Sequence, residues 1–260
     1  MSAKVRLRTD SDTSRANKAQ YSGRGFFMLG DIAVVHGTAP SDEEVRKIVA
    51  LRKPRGVLLV RSVGRQIRIP DCEVLYGEVG EVRHRENGYV YFLDPVKVMF
   101  SQGNLNEKKR MADLIRSGTG HERVADMFAG IGYFTIPMAG AGADVHAIEI
   151  NPVAYGYLRK NILENGFERR VKATLGNSMD ALSGKYHRVV MGHFDAIQFL
   201  PAVFPHISPG SVIHLHSLGN VDTEIQSKIS EAGFSADVHV HKVKKYSPHQ
   251  WHVVQDVVIR

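Results

Sequence analysis

The chain carries one cysteine, Cys72, in 260 residues. That excludes an internal disulfide and any zinc site built on cysteines, and leaves Cys72 as a small residue of a loop or strand. No apolar run approaches the ~20 residues that cross a bilayer as a helix. The polar N-terminus lacks an apolar signal segment, so the chain is expected to stay in the cytoplasm. There is no internal repeat and no low-complexity tract. With 43% hydrophobic residues and charges of both signs, the composition is that of a soluble globular protein. The length suits one large or two small domains.

Acids are scarce where bases gather. Residues 1–120 hold 21 Lys+Arg against 14 Asp+Glu, whereas residues 121–260 hold 13 of each, so the whole excess lies in the first half. From Val45 to Pro70 there are eight basic residues and no acid: Arg46, Lys47, Arg52, Lys53, Arg55, Arg61, Arg65 and Arg68. Such a stretch suits a phosphate backbone through counterion release; a solvated basic face is the alternative. A basic front beside a neutral second half points to a polyanionic substrate.

The pattern of elements divides the chain. Residues 1–20 read as a loose polar arm. Residues 21–103 read as a small α+β module, largely antiparallel: a strand over Leu29–Val35, a helix from Ser41 to Lys53 capped by Ser41, and strands at Gly56–Val60, Glu78–His84 and Tyr89–Leu93 with a turn at Glu86–Gly88. From 104 the chain reads as one domain. A helix at 104–117 precedes strands at Val124–Phe128, Asp144–Ile150, Val171–Leu175, Arg188–Met191 and Ser211–His216. Helices fall at Tyr133–Ala139, Pro152–Asn165 and Val221–Ala232, with closing strands at Ala236–Lys244 and His252–Ile259. This alternation predicts an α/β, mainly parallel, doubly wound sheet covered by helices on both faces.

Its first strand leads into Asp126-Met-Phe-Ala-Gly130-Ile-Gly132, and its second ends in Glu149, 17 residues past Gly132. Glycines there let the backbone turn tightly and approach a ligand, and an acid at that spacing meets ribose hydroxyls. A dinucleotide fingerprint would place Gly or Ala where Thr135 stands. A triphosphate-binding loop would place a lysine after the glycines, and none follows. Asp126 would repel a pyrophosphate but suits an ammonium. This set resembles the motifs of class I S-adenosylmethionine-dependent transferases, which implies a Rossmann-like fold and S-adenosylmethionine as cofactor.

Further blocks narrow the resemblance. They are Leu75-Tyr-Gly77, Leu93-Asp-Pro-Val-Lys-Val-Met-Phe-Ser-Gln-Gly-Asn104 with Glu107 and Arg110, Ala147-Ile-Glu-Ile-Asn-Pro152, Arg188-Val-Val-Met-Gly-His193, Ile213-His-Leu-His216, and Lys245-Tyr-Ser-Pro248 with Trp251-His-Val-Val254. Over about residues 25–260 they resemble the family that holds the tRNA (guanine-N1) methyltransferases acting beside the anticodon and the aminocarboxypropyltransferases of wybutosine synthesis. Ser101-Gln-Gly103 replaces the Ser-Pro-Arg usual in the methyltransferase branch, and Gly192-His193-Phe194 replaces its Asn-Leu-Pro; both look like the aminocarboxypropyl branch. That resemblance implies transfer of the 3-amino-3-carboxypropyl group of S-adenosylmethionine to C7 of 4-demethylwyosine at position 37 of tRNA(Phe), releasing methylthioadenosine. It implies binding of the anticodon stem-loop; the oligomeric state is not readable from the residues, and a monomer is the favoured expectation. Two residues depart from the branch: Lys108 stands where an arginine touching the cofactor is usual, and Ser217 stands where a more polar or acidic residue is common.

On this reading Glu149 holds the ribose diol, with Phe128, Gly130, Gly132, Ile150 and Gly176 around the cofactor. Asn177 meets the adenine edge or serves as a turn residue. Ser101 and Lys108 take the amino-acid end, Ser101 also being a candidate helix cap. Asp126 meets the ammonium or braces the turn. Phe128 and Phe134 suit the core or base stacking. His193 and His216 are candidates for contacting the base or the cofactor carboxylate. Arg61, Arg65, Arg68 and Lys245 are expected to bind RNA, and Lys244, Tyr246, His249 and His252 to touch its phosphates. His214 with His216, and His239 with His241, share strand faces. No acid or cysteine is seen nearby to complete a zinc set, and transfer from a sulfonium needs no metal. A methyltransferase on the same fold, recognised by S-adenosylhomocysteine as by-product, is the first alternative. An RNA-binding module with a vestigial cofactor site is the second; intact Asp126, Gly130, Gly132 and Glu149 argue against it.

Overall fold

A computed structural model describes residues 25–64, 67–118 and 120–260. The expected arm at 1–20, and Arg65, lie outside the described residues. β1 (Phe26–Leu29) and β2 (Ile32–His36) form a hairpin that turns at Gly30 and Asp31. The single strand expected at Leu29–Val35 is thus two, because Gly30 takes a left-handed φ of 58° that reverses the chain. α1 (Asp42–Arg52) starts with a capping box: the Ser41 hydroxyl accepts the Glu44 N–H, and the Glu44 carboxylate accepts the Ser41 N–H at 2.8 Å. α1 is the crossover to β3 (Gly56–Val63), which runs parallel to β2, and β4 (Pro70–Gly77) closes the sheet as an antiparallel edge. The module is therefore mixed rather than largely antiparallel, since a crossover helix delivers its strand in the same direction. The run Val57–Val60 is apolar throughout because both faces are covered, Val57 and Leu59 packing with Ile48 of α1, and Leu58 and Val60 facing the main core. β5 (Val82–Glu86) and β6 (Tyr89–Leu93) form a separate hairpin. β5 begins at Val82, four residues later than the strand expected from Glu78.

α2 (Leu105–Ser117) leads into the large sheet: β7 (Arg123–Asp126), α3 (Thr135–Gly140), β8 (Asp144–Glu149), α4 (Pro152–Glu164), β9 (Val171–Leu175), α5 (Ser178–Ala181), β10 (Arg188–Met191), α6 (Leu200–Val203), β11 (Val212–Leu218), α7 (Asp222–Glu231), β12 (Ala236–Ser247) and β13 (Gln250–Ile259). The spatial order is β12-β13-β11-β10-β7-β8-β9. β7 to β11 pair in parallel, and β13 inserts antiparallel between β11 and β12. The doubly wound sheet predicted from the alternation is present, with apolar clusters on both faces. The short helices α5 and α6 and the turns around them were not foreseen; four-residue segments carry too little periodicity to read.

One apolar cluster runs from the small module into the large one, joining Leu29, Leu58, Tyr91 and Leu93 to Met111, Phe134 and Ile136. The expected division at 103/104 is therefore crossed by a continuous core. Asn161 of α4 and Asn165, its C-cap, strengthen the junction by completing the free edge of β6. Asn161 accepts the Phe92 N–H at 2.7 Å and donates to the Phe92 and Ile131 carbonyls; Asn165 accepts the Val90 N–H at 3.0 Å and donates to the Val90 carbonyl. Among the described residues, no helix is long and apolar enough to cross a membrane.

Candidate active site

The carboxyl ends of β7, β8, β9 and β10 lie side by side, and between β10 and β7 the strand order reverses, which is where an open α/β sheet has its ligand cleft. β7 delivers Asp126, then the chain turns through Gly130 (φ 57°) and Gly132 (φ 101°) into α3. A Cβ at Gly132 would sit 2.8 Å from Ile136 and 3.2 Å from Leu158, so this turn admits only glycine. Glu149, at the end of β8, stitches the turn to the next helix: its carboxylate accepts the Gly130 N–H at 2.7 Å and the Asn151 N–H at 2.6 Å. Burial pushes its carboxyl up, against the pull of these N–H donors. Asn151 caps α4 with its Oδ1, and its Nδ2 donates to the Ile67 carbonyl at 3.0 Å, which ties the 67–70 segment to the rim of the cleft.

Asp126 is fully buried. One oxygen accepts the Thr135 hydroxyl at 2.6 Å, while Oδ1 has no hydrogen-bond partner. Burial pushes this carboxyl up to about 6, and the Thr135 hydroxyl opposes the shift. Thr135, which breaks the dinucleotide pattern, thus braces the acid. Beside Glu149, the strand ends expose Ile150, Leu175 and Met179, each about half accessible. Gly176 follows, its N–H donating to the Glu149 carbonyl at 2.9 Å. Asn177 caps α5 by accepting the Met179 N–H at 3.0 Å, which is the turn role; this uses its oxygen alone.

The residues present suit S-adenosylmethionine. An unpaired buried carboxylate oxygen matches an ammonium, a half-buried glutamate matches a diol, and three exposed apolar side chains match the faces of an adenine. Phe128 lies 5.4 Å from the His193 ring and edge-on to Phe199 at 5.0 Å, so it and His193 wall the β10 side of the cleft. The His193 Nδ1 accepts the Asp195 N–H at 3.2 Å. A Cβ at Gly192 would press on Phe134 at 3.2 Å, so the loop and that ring are closely fitted. Phe134 itself is buried. Ser101 makes no capping bond to the turn at Gln102–Asn104.

Several expected residues are placed differently. Lys108 has no exposed surface; its ammonium donates to Glu86 at 2.7 Å and lies 5.1 Å and 5.0 Å from the Phe100 and Tyr133 rings. Burial pulls its pKa down, with Glu86 opposing. It anchors the β5–β6 hairpin under the glycine turn and does not line the cleft. His216 is also buried, its Nδ1 2.9 Å from the Nε2 of His252, and its ring is edge-on to Phe134. Burial lowers both imidazoles to about 3, which keeps the pair neutral. His252 is therefore not available to a phosphate. Arg61 pairs with Glu73 across β3 and β4. Arg68, in a left-handed conformation (φ 55°), turns inward: its guanidinium donates to the Met99 sulfur at 3.1 Å and lies 5.7 Å from the Phe194 ring. Of the described RNA candidates, Lys245, Tyr246 and His249 are exposed with no acid paired to them.

An acid distant in sequence lies beside two of the histidines that share strand faces, one from each pair. Asp256 lies 2.6 Å from His214 Nδ1 and 3.1 Å from His241 Nε2, and it also accepts from Arg110, which forks onto Glu107. Burial would raise its carboxyl, but bonds from His214 and Arg110 hold it well below the usual range. Arg188 extends the chain from His214 to Glu122. Among the described residues, no group of three or more His, Cys, Asp or Glu is arranged to hold a metal ion. This network was missed because its bonded partners Arg110 and Asp256 lie 146 residues apart; Glu107 and Arg110, at helical spacing, were its visible part.

The family model for the TRM5/TYW2 methyltransferase domain matches residues 82–244. The tRNA(Phe) (4-demethylwyosine(37)-C(7)) aminocarboxypropyltransferase of Methanocaldococcus jannaschii is 37% identical over 246 residues, spanning 90% of this chain and 97% of its own. The tRNA (guanine(37)-N(1))-methyltransferase Trm5b of the same organism is 30% identical over 242 residues, spanning 89% and 70%. The crystal structure of M. jannaschii TYW2 in complex with AdoMet superposes with a TM-score of 0.71 at 32% identity, covering 91% of this chain and 99% of that one. The chain belongs to the TRM5/TYW2 family of S-adenosylmethionine-dependent transferases.

Proposed function

We propose that this chain transfers the 3-amino-3-carboxypropyl group of S-adenosylmethionine to C7 of 4-demethylwyosine at position 37 of tRNA(Phe), releasing methylthioadenosine, as a cytoplasmic monomer. The observation that carries the choice of branch is the greater sequence identity, end to end, to an aminocarboxypropyltransferase, the methyltransferase relative being less identical and longer.

When bound, S-adenosylmethionine supplies a sulfonium whose three attached carbons are all open to displacement. The residues must therefore decide which carbon faces the base, an effect of orientation worth several orders of magnitude. Glu149 holds the ribose diol, and Ile150, Leu175 and Met179 enclose the adenine beside Asn177. Asp126 offers its unpaired oxygen to the ammonium. Gly192 and His193, lacking the amide of the methyltransferase loop, leave room beside Phe128 for a tricyclic base. C7 then gives its electron pair to the Cγ carbon, the Cγ–S pair stays with sulfur, and the C7 proton is released. Lys245 contacts RNA phosphate, and Arg68, facing Phe194, lies where the base would enter.

The test is to supply tRNA(Phe) bearing 4-demethylwyosine with donor labelled in either the carboxyl or the methyl carbon. Carboxyl label is expected in the RNA, with methylthioadenosine as by-product. Methyl label in the RNA, with S-adenosylhomocysteine, would overturn the proposal in favour of methyl transfer.

A further inference from the structure

β12 and β13 run past the sheet they belong to. The ladder between β13 and β11 ends at His252, whereas β13 continues with β12 through Lys245 opposite Trp251 and Ser247 opposite Gln250. This ribbon holds no acid from Val238 to Gln255. Among the described residues, Lys242, Lys244 and Lys245 have no ion-pair partner.

The chain's single tryptophan, Trp251, lies on this ribbon and is 38% exposed. The Lys242 ammonium stands 5.1 Å from its ring centroid, and Lys245 is its cross-strand neighbour. A register shift between Lys242 and Lys244 puts three residues of β12 against two of β13, which brings both lysines to the same indole. The ribbon is continuous with the active-site mouth. Tyr246, 54% exposed, meets Phe194 edge-on at 5.3 Å, and Phe194 also packs on His252 at 5.0 Å and under Arg68.

An exposed indole flanked by unpaired ammonium groups matches one kind of partner well. Unpaired RNA offers a flat base to the ring and a phosphate on either side to the lysines. We propose that Trp251, with Lys242 and Lys245, is a stacking platform for an unpaired base of the substrate RNA next to the nucleotide that enters the mouth. The proposal deepens the reading of the chain as a tRNA-modifying enzyme and rests on it for the identity of the RNA.

Because Trp251 is the only tryptophan, its emission reports on this site alone. The full chain is titrated with a short unstructured oligoribonucleotide and with tRNA(Phe), following fluorescence and, separately, binding by filter retention. Both RNAs are expected to quench the emission saturably. Trp251→Ala should weaken oligonucleotide binding roughly tenfold, Trp251→Phe should retain most of it, and donor affinity should stay unchanged in both. Emission that ignores bound RNA, or a Trp251→Ala variant that binds like the parent, overturns the proposal. So does quenching by dilution-sensitive self-association without RNA, which would assign the ribbon to a second copy of the chain. Appearance of methyl label in the tRNA would refute the proposed reaction while leaving the quench intact, so the two failures are distinguishable.

Discussion

Asp126 shows how much one side chain's role depends on what surrounds it. A carboxylate with no exposed surface and one unpaired oxygen costs free energy when it ionises, which is why its pKa rises from 3.8 to about 6. A folded-state pKa above the unfolded one contributes stability at low pH that is lost as pH rises through the interval between them. The stability of the parent relative to Asp126→Asn should therefore fall between pH 4 and pH 7, by roughly 2–3 kcal/mol. Thermal melts of both proteins at the two pH values test this; an equal difference at both would mean that Asp126 titrates normally. Donor binding should reverse the shift, since an ammonium beside the free oxygen favours the ionised form. Lys108 teaches the opposite lesson. Its charge was legible in the chain, but its partner Glu86 lies 22 residues earlier on a different element, so its burial was not.

At the scale of elements, the helices and parallel strands of the catalytic half were legible because each announces its own ends. Pro152 opens α4, Gly166 follows its close, and the apolar strands are bounded by glycines and charges. β4 was not legible. It is an edge strand with exposed Val74 and Tyr76 beside acids, and such a run has no clean alternation. The junction of α4 with β6 was hidden for another reason: asparagines are ordinary helix residues in sequence, and here two of them act as a strand. Asn161→Ala would leave the Phe92 N–H and two carbonyls buried without partners. It should destabilise the protein by about 2–4 kcal/mol, since each orphaned group carries its own desolvation cost. A melting temperature within a degree of the parent's would show that water replaces the amide there.

Across the whole molecule, the basic excess of the first half proves less available than its count suggested. Lys47, Arg55 and Arg61 are paired with Glu43, Asp31 and Glu73, and Arg68 turns inward. Among the described residues, Arg46, Arg52 and Lys53 stay exposed without an ion pair, and further unpaired cations sit on the ribbon of the neutral half. Lys245→Ala should therefore lower the slope of log K against log salt for tRNA by about 0.7–0.9, one phosphate contact, whereas Arg61→Ala should change it by less. Salt titrations of both variants decide this; a larger effect at Arg61 would return the RNA surface to β3 and β4.

The chain alone determined the sheet, the turn after β7, and the acids at its strand ends, because those features follow from local chain stiffness, periodicity and spacing. It also carried the family, through blocks whose order survives without any fold. Only the tertiary structure decided which charges are spent and which are free. Lys108 closes on Glu86, His216 on His252, Arg61 on Glu73, and Asp256 gathers three partners from three elements. Electrostatic pairing acts over a few ångströms of space, whatever the separation along the chain, so nothing in residue order reveals it.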